Sequence, residues 1–334
     1  MHTSAMARMD FKMAAHCASG LSFHHTNTFP VRFALAILCK GRDLQATAYT
    51  RHTFGLQFVS IRFFLESEAN TMRALTTRVA ATLFALAATI LFPAAHAADV
   101  ATAAPVDVSY PSGPETVKAL LYSPAGGATG KHPAIIVIHE WWGLNDWVKE
   151  QAADLAAHGY VALAVDLYRG QVATDADTAH QISRGVPEDR AIRDLKAADA
   201  YLSSQKNVDP RRMGAIGWCM GGGYALNFAV ADPNLKAVAA NYGPPPTDPA
   251  SLAQIHAAIL GNYGGLDKGI TPADVNAFAA EMKKIGKPID LKIYPDAGHA
   301  FENPNNKTGY RPEDTADARS RYLHFFAREL GGKP

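Results

Sequence analysis

The apolar positions of this chain follow two alternating patterns in its last two thirds. Short continuous apolar runs, such as residues 133–139, alternate with longer segments in which apolar residues recur at helical spacing. Continuous apolar runs are typical of strands that are buried on both faces, and the longer segments are typical of the helices that cover them. The alternation therefore predicts an α/β fold, with a mostly parallel central sheet and helices on both faces.

The same pattern predicts the individual elements. The predicted strands cover residues 106–110, 116–122, 133–139, 160–167, 212–218, 236–242, 257–263 and 289–294, of which the first two form an antiparallel pair. The predicted helices cover residues 146–158, 189–202, 220–229, 271–285 and 315–330. Between the fourth strand and the second helix, residues 168–187 are predicted to be irregular. The last helix carries Tyr322, Phe325 and Phe326 on one stripe, which we expect in the core.

Residues 72–97 have the pattern of a secretory signal. An apolar stretch over residues 79–92 follows two arginines and precedes Ala95-His96-Ala97, the small-x-small pattern of a cleavage site. The stretch is shorter than the roughly 20 residues that span a bilayer, so we expect no stable membrane anchor. We predict cleavage after Ala97 and a periplasmic or secreted protein. Because a signal peptide begins a chain, residues 1–71 are predicted to be a non-native extension that precedes an initiator at Met72.

Charge and cysteine content narrow the function of the single domain predicted for residues 98–334. The 334-residue chain has a formal net charge of +1, but nine of its 32 basic residues and only four of its 31 acidic residues precede residue 98. The domain is therefore net acidic, which argues against binding to nucleic acid. Of the three cysteines only Cys219 lies in the domain, so it has no internal disulfide.

A nucleophile is predicted at Cys219, in the sequence Gly217-Trp218-Cys219-Met220-Gly221. This segment follows an apolar strand and opens a helix rich in small residues. Glycines two positions before and after the cysteine allow a sharp turn that projects the central side chain from the top of the sheet. A thiol at a helix N-terminus and near a histidine is readily ionised. The flanking glycines favour this interpretation over a buried, inert cysteine.

A base and its orienting acid follow in the expected chain order. His299 lies in a loop after the last predicted strand, and Asp267 lies in the loop after the preceding strand, which gives the order nucleophile, acid, histidine. Asp296 is the rival acid. It is only three residues from His299, so we expect it to cap its own turn.

The loop after the strand of residues 133–139 predicts the rest of the site. The backbone amides of Trp141 and Met220 are the expected donors of an oxyanion hole. Glu140, next to two tryptophans, is expected to be partly desolvated and to hydrogen-bond the thiol. His139-Glu140 begins like a zinc-protease signature, but residue 143 is glycine rather than histidine, so no metal is predicted. No cofactor motif is complete in this chain.

These motifs resemble those of the dienelactone hydrolases. The shared motifs are Gly-x-Cys-x-Gly-Gly at the turn, His-Glu-Trp-Trp-Gly-Leu-Asn at the oxyanion loop, Val-Asp-Leu-Tyr at residues 165–168, Gly-x-x-Asp at the acid and Gly-His-x-Phe at the base. The resemblance covers residues 98–334 and implies an α/β-hydrolase fold with Cys219, His299 and Asp267 as its triad. It also implies that Glu140 contacts the resting thiol and releases it when substrate binds. The implied substrates are carboxymethylenebutenolides, which are cyclic enol esters.

One position departs from the family. Members that act on dienelactones carry an arginine four residues after the catalytic histidine, where this chain has Asn303. Arg169 and Arg311 are the candidate replacements for binding a substrate carboxylate, and each is equally consistent with a surface charge.

The sequence as a whole predicts a carboxylic ester hydrolase. It is expected to act, as a monomer, on a small-molecule activated ester or lactone through an acyl-enzyme on Cys219. The alternative is a binding or redox-responsive protein on the same scaffold, which would use Cys219 as an exposed thiol without turnover.

Overall fold

The computed structural model describes residues 32–40, 43–52, 55–64, 104–125 and 130–332 of the chain. The chain divides into two units, residues 1–95 and residues 96–334. In the first unit three strands pair antiparallel in the order β1-β2-β3: β1 (Arg32–Lys40), β2 (Asp43–His52) and β3 (Gly55–Phe64). The sequence pattern did not predict these strands. The predicted signal peptide, residues 72–97, lies outside the described residues, so it stays a prediction, as does the initiator at Met72.

The second unit is built on an eight-stranded sheet. Its strands are β4 (Val106–Ser112), β5 (Glu115–Tyr122), β6 (His132–Ile138), β7 (Val161–Val165), β8 (Val208–Trp218), β9 (Ala237–Asn241), β10 (Ala258–Gly264) and β11 (Ile289–Tyr294). They are ordered β11-β10-β9-β8-β6-β7-β5-β4. The pairs β4–β5 and β5–β7 are antiparallel, and all the others are parallel. The predicted mostly parallel sheet with an antiparallel opening pair is confirmed.

Helices cover both faces of this sheet. They are α1 (Asp146–Ala157), α2 (Ala176–Arg184), α3 (Glu188–Ser203), α4 (Met220–Ala231), α5 (Pro249–Ala253), α6 (Pro272–Lys284) and α7 (Pro312–Leu330). Helices α1 and α7 pack in one apolar cluster, and α3, α4 and α6 pack in the other. Strand β6 contributes alternate residues to the two clusters, which explains its continuous apolar run. Tyr322, Phe325 and Phe326 are buried in the first of these clusters, as predicted.

Two helices were not predicted, because each buries a single residue, Ala179 or Leu252, and so shows little of the apolar pattern of a helix. Helix α2 lies within residues 168–187, and the Asp175 side chain caps it by accepting from the Thr178 amide at 2.9 Å. Helix α5 is a single short turn that begins at Pro249, and the Asp248 side chain accepts from the Ser251 amide at 2.8 Å. Such caps satisfy amides that have no partner inside the helix.

The sheet brings the predicted site residues to one edge. In parallel strands the carboxyl ends meet at the same edge of the sheet, where α/β proteins place their functional loops. Strands β6, β8, β10 and β11 end there and are followed by Glu140, Cys219, Asp267 and His299 respectively. None of the helices in the described residues is long and apolar enough to cross a bilayer.

Candidate active site

Cys219 occupies a strained turn between β8 and α4. Its backbone has φ 55° and ψ −122°, a region that non-glycine residues rarely adopt, at a cost of about 1–3 kcal/mol. A Cβ atom on Gly217 would collide with the carbonyl of Gly221, and one on Gly221 would collide with the carbonyl of His139. Only glycine fits at these two positions, so the turn is as tight as the sequence predicted.

The neighbouring strand β9 holds this turn through Asn241. The Cys219 amide donates to the Asn241 carbonyl at 2.9 Å, and the Asn241 side-chain amide donates to the Gly217 carbonyl at 3.3 Å. Asn241 is fully buried. Both sides of the turn are therefore fixed to β9, which offsets the strain at Cys219.

Cys219, His299 and Asp267 form a continuous hydrogen-bonded line. The Cys219 Sγ lies 3.1 Å from His299 Nε2, and His299 Nδ1 lies 2.7 Å from Asp267 Oδ2. Because Nδ1 faces a carboxylate, it carries a proton, and Nε2 is directed at the sulfur. The Asp267 carboxylate is almost fully buried, whereas the His299 side chain is 39% exposed. The structure brings together the three residues that the sequence nominated.

The electrostatics of this line favour an ionised acid and a basic histidine. Burial raises the pKa of Asp267, but the His299 hydrogen bond and the amides of Ile270 and Gly269 outweigh it and lower that pKa overall. Burial lowers the pKa of His299, and its hydrogen bonds to Asp267 and to the Cys219 sulfur overcome that effect and raise it to about 10. Asp296, the rival acid, is exposed, and His299 Nδ1 is bonded to Asp267 instead.

Glu140 has different partners from those the sequence predicted. Its Oε2 accepts from the Asn303 side-chain amide at 2.6 Å, and its Oε1 accepts from the Tyr242 hydroxyl at 3.3 Å. The predicted hydrogen bond to the thiol does not form, since His299 is the partner of the Cys219 sulfur among the described residues. Burial raises the pKa of Glu140 to about 7, against the opposing effects of Asn303, His299 and Tyr242.

Tyr242 and Tyr168 are site residues that the sequence reasoning missed. Tyr242 follows β9 at the same sheet edge as the triad, which is a signal that could have been used. The Tyr168 hydroxyl lies 3.1 Å from the Trp141 carbonyl and 3.3 Å from the Met220 sulfur. It thereby joins the two segments whose amides were predicted to form the oxyanion hole. Neither of those amides has a hydrogen-bond partner among the described residues.

A cavity of about 590 Å³ opens beside the thiol. Trp141 and Trp142 line it, with ring centroids 5.0 Å apart and planes at 62°, together with Cys219 and His299. The loop over residues 303–308 provides another wall, which includes Asn303. In the described part of the chain, no group of three or more His, Cys, Asp or Glu side chains could hold a metal ion.

The two arginines predicted to bind substrate do not line this cavity. Arg169 donates to Asp194 at 2.7 Å and to Glu115 at 2.8 Å, in an ion-pair cluster that joins the β4–β5 hairpin to α3. Arg311 lies at the start of α7 and donates to the main-chain carbonyls of residues 296, 308 and 310. Both side chains are engaged outside the cavity, so the structure does not bring either arginine to the position where it was a candidate for binding a substrate carboxylate.

Comparison with known proteins identifies the family of this chain. Residues 117–330 match the sequence profile described as "Dienelactone hydrolase family". The chain belongs to the dienelactone hydrolase family. A Methylorubrum extorquens protein named "Putative carboxymethylenebutenolidase" is 33% identical over 239 residues, which are 67% of this chain and 81% of that protein.

The chain is also similar to a second named protein and, in its fold, to a solved structure. A Bradyrhizobium protein named "Probable 2-oxo-3-(5-oxofuran-2-ylidene)propanoate lactonase" is 34% identical over 218 residues, covering 61% of this chain and 87% of its own length. The crystal structure of an Anabaena variabilis dienelactone hydrolase superposes with a TM-score of 0.52 at 22% identity, covering 68% of this chain and 100% of that one. The fold is the α/β-hydrolase fold, as predicted.

Proposed function

We propose that this dienelactone hydrolase-like protein hydrolyses an activated ester or lactone through a thioester acyl-enzyme on Cys219. The observation that carries the proposal is the line from the Cys219 sulfur through His299 to Asp267, with bonds of 3.1 and 2.7 Å. A nucleophile, a base and an orienting acid in this geometry are the requirements for acyl transfer. The names of the relatives, a carboxymethylenebutenolidase and a lactonase, support the same chemistry.

In the first half-reaction the Cys219 thiolate attacks the carbonyl carbon of the ester. A C–S bond forms, and the carbonyl electron pair moves to oxygen, where the amides of Trp141 and Met220 donate to the oxyanion. Collapse of this intermediate breaks the C–O bond, and the leaving oxygen takes the proton held on His299 Nε2. Asp267 keeps His299 oriented and stabilises its protonated form.

In the second half-reaction water hydrolyses the thioester. His299 removes a proton from the attacking water, a C–O bond forms, and the C–S bond breaks to regenerate the thiolate and release the acid. A thiolate is a better leaving group than an alkoxide, so the first intermediate reverts unless the ester has a stabilised leaving group. Enol and aryl esters meet this condition, which is why activated esters are favoured over alkyl esters.

The test is turnover of a 4-nitrophenyl ester and an enol lactone by the wild-type chain and by Cys219→Ala. We expect the variant to lose at least 10³-fold in kcat, because it lacks the atom that is acylated. Its thermal melting curve should be unchanged, since the substitution removes one partly exposed sulfur. Activity of the variant within tenfold of wild type would refute acylation at Cys219. A wild-type protein that reacts with iodoacetamide but turns over no ester would favour the binding or redox alternative.

A further inference from the structure

The inner end of the cavity contains a carboxyl group with neutral partners. Glu140 and Asn303 are 1% and 2% exposed, and both line the cavity beside Cys219. The Asn303 amide and the Tyr242 hydroxyl supply the two hydrogen bonds of the Glu140 carboxyl. Burial raises the pKa of Tyr242 well above its usual value, so this hydroxyl remains a neutral donor. No cationic side chain is bonded to Glu140 among the described residues.

Among the described residues that line the cavity, Lys307 is the one lysine or arginine, and it is exposed at the outer rim together with its neighbours Asn305 and Thr308. The His299 ring also lines the cavity and lowers the pKa of Glu140, but both of its nitrogens are already bonded, one to Asp267 and one to the Cys219 sulfur. Arg169 is engaged in the ion pairs described above, and Arg311 in hydrogen bonds to main-chain carbonyls. In the described part of the chain the inner end of the cavity therefore has no lysine or arginine, and the one charged ring near it, His299, is held between Asp267 and the Cys219 sulfur.

A substrate carboxylate at the inner end would meet an unfavourable environment. It would lose water and lie next to Glu140, a like charge when ionised. No lysine or arginine of the described residues lies there to compensate, and the charge of His299 is already balanced by Asp267. Asn303 has two N–H donors, and one is already used by Glu140. An uncharged planar group has no such cost, and the faces of Trp141 and Trp142 provide apolar contact area for it.

We propose that the enzyme takes uncharged planar esters or lactones, and that a carboxylate on the part of the substrate next to Glu140 and Asn303 is excluded. This inference rests on the proposed hydrolase function and adds its substrate class. It assigns Glu140 a role in substrate selection, through the charge that it places at the inner end of the cavity.

The experiment compares substrates that differ in one charge. The probes are the 4-nitrophenyl monoesters of terephthalic and isophthalic acid, each as the free carboxylate and as its methyl ester. Leaving group and ring are identical within each pair, and the two isomers place the charge at different depths. We expect kcat/KM to be at least tenfold higher for the neutral member of at least one pair. Equal rates, or faster hydrolysis of the carboxylates, in both pairs would overturn the inference while leaving the hydrolase function intact.

The neutral-to-anionic ratio should depend on the charge of Glu140. Glu140→Gln should lower the ratio at pH 8 at least threefold, whereas Asp296→Asn, the matched carboxyl-to-amide change at an exposed residue, should not alter it. An unchanged ratio in a folded Glu140→Gln protein would contradict the assignment. If no ester is hydrolysed by the wild-type chain, the proposed function itself fails, and the inference fails with it.

A measurement on the wild-type protein alone gives a second check in case the Glu140→Gln variant does not fold. The pKa of Glu140 is about 7, so its charge increases from pH 6 to pH 8. The ratio should rise over this range. The groups that face Glu140 are the Asn303 amide, the Tyr242 hydroxyl, the His299 ring and the Glu302 carboxyl. Protonation of His299 affects both members of a pair alike and cancels in the ratio, so a flat or falling ratio would overturn the inference.

Discussion

Two buried carboxyl groups flank the Cys219–His299 pair, and they differ in their charge. Asp267 receives hydrogen bonds from the His299 ring and from two backbone amides, and its pKa lies below the usual range despite burial. Glu140 receives hydrogen bonds from an amide side chain and a phenol, and burial raises its pKa to about 7. Both carboxyl groups are thus buried, and the difference between their pKa values comes from the hydrogen-bond donors around each of them. Asp267 is a permanent anion that orients His299, whereas Glu140 changes its charge near neutral pH.

The largest effect that distinguishes the two carboxyls is expected from Asp267→Asn. An asparagine keeps the shape, but it removes the charge that stabilises protonated His299 and permits the wrong tautomer, so kcat should fall by about 10³-fold. The measurement is kcat for a neutral 4-nitrophenyl ester against pH. Glu140→Gln, the same chemical change at the other carboxyl, should lower kcat for that ester by less than about tenfold.

The exposed carboxyl Asp296 is the control for this prediction. Asp296→Asn should leave kcat within about threefold of wild type, because the His299 ring is bonded to Asp267. If Asp296→Asn were more damaging than Asp267→Asn, the acid of the triad would be misassigned.

The grouping of Cys219, His299 and Asp267 was predictable from the sequence because each of these residues is marked by local signals. The glycines around Cys219 allow one backbone geometry, and the collisions that a Cβ would make at Gly217 and Gly221 show why. Asp267 and His299 each follow an apolar strand, and the ends of parallel strands converge whatever the loops contain. The strands and most helices were predictable for the same reason, since burial on two faces leaves a clear apolar pattern.

The partners of the polar side chains were not predictable in this way. Arg169 was a candidate for binding a substrate carboxylate and was equally consistent with a surface charge, but its side chain pairs with the buried Asp194, which belongs to helix α3. Glu140 was expected at the thiol, but its carboxyl bonds to Asn303, a residue 163 positions away along the chain. In both cases several donors and acceptors lie within reach, and the packing of distant segments determines which of them the side chain bonds to. No local sequence pattern indicates that partner.

A smaller effect should appear in the reactivity of the resting thiol. When Glu140 is ionised, its negative charge opposes a second negative charge on the Cys219 sulfur, and the thiolate is the form that iodoacetamide alkylates. Glu140→Gln should therefore raise the rate of alkylation by iodoacetamide about threefold to tenfold at pH 8. At pH 6 the wild-type carboxyl is largely protonated, so the two proteins should react at similar rates. The measurement is the second-order rate constant of each protein at both pH values.

The comparison between pH values separates charge from shape in this experiment. A variant that is faster by the same factor at pH 6 and at pH 8 would indicate a change in access to the sulfur. An alkylation rate at pH 8 that is the same in both proteins would mean that the charge of Glu140 does not affect the reactivity of the Cys219 sulfur. The charge of Glu140 would then act on substrate selection alone.

The smallest effect concerns Glu302, a third buried carboxyl, which extends the comparison to stability. It accepts from the Trp218 indole at 3.1 Å, a neutral donor. Burial raises its pKa to about 8 despite that bond, and the charge of Glu140 adds to the increase. In the folded protein Glu302 therefore keeps its proton up to about pH 8. In the unfolded chain, where its pKa is 4.5, it loses the proton at a lower pH. This contribution to stability is complete below about pH 4.5 and is lost as the pH rises through about 8.

Glu302→Gln should flatten this dependence, because the amide keeps an oxygen acceptor for Trp218 but cannot ionise. Denaturant unfolding at pH 7 and pH 9 should show that the wild-type protein loses about 1.4 kcal/mol more of its unfolding free energy over this interval than the variant. Glu150→Gln, at an exposed residue of α1, is the control and should parallel wild type. If the Glu302→Gln curve also parallels wild type, the buried carboxyl does not retain its proton. Burial would then be too weak to keep a carboxyl group neutral inside this fold, and the raised pKa of Glu140 would need a different cause.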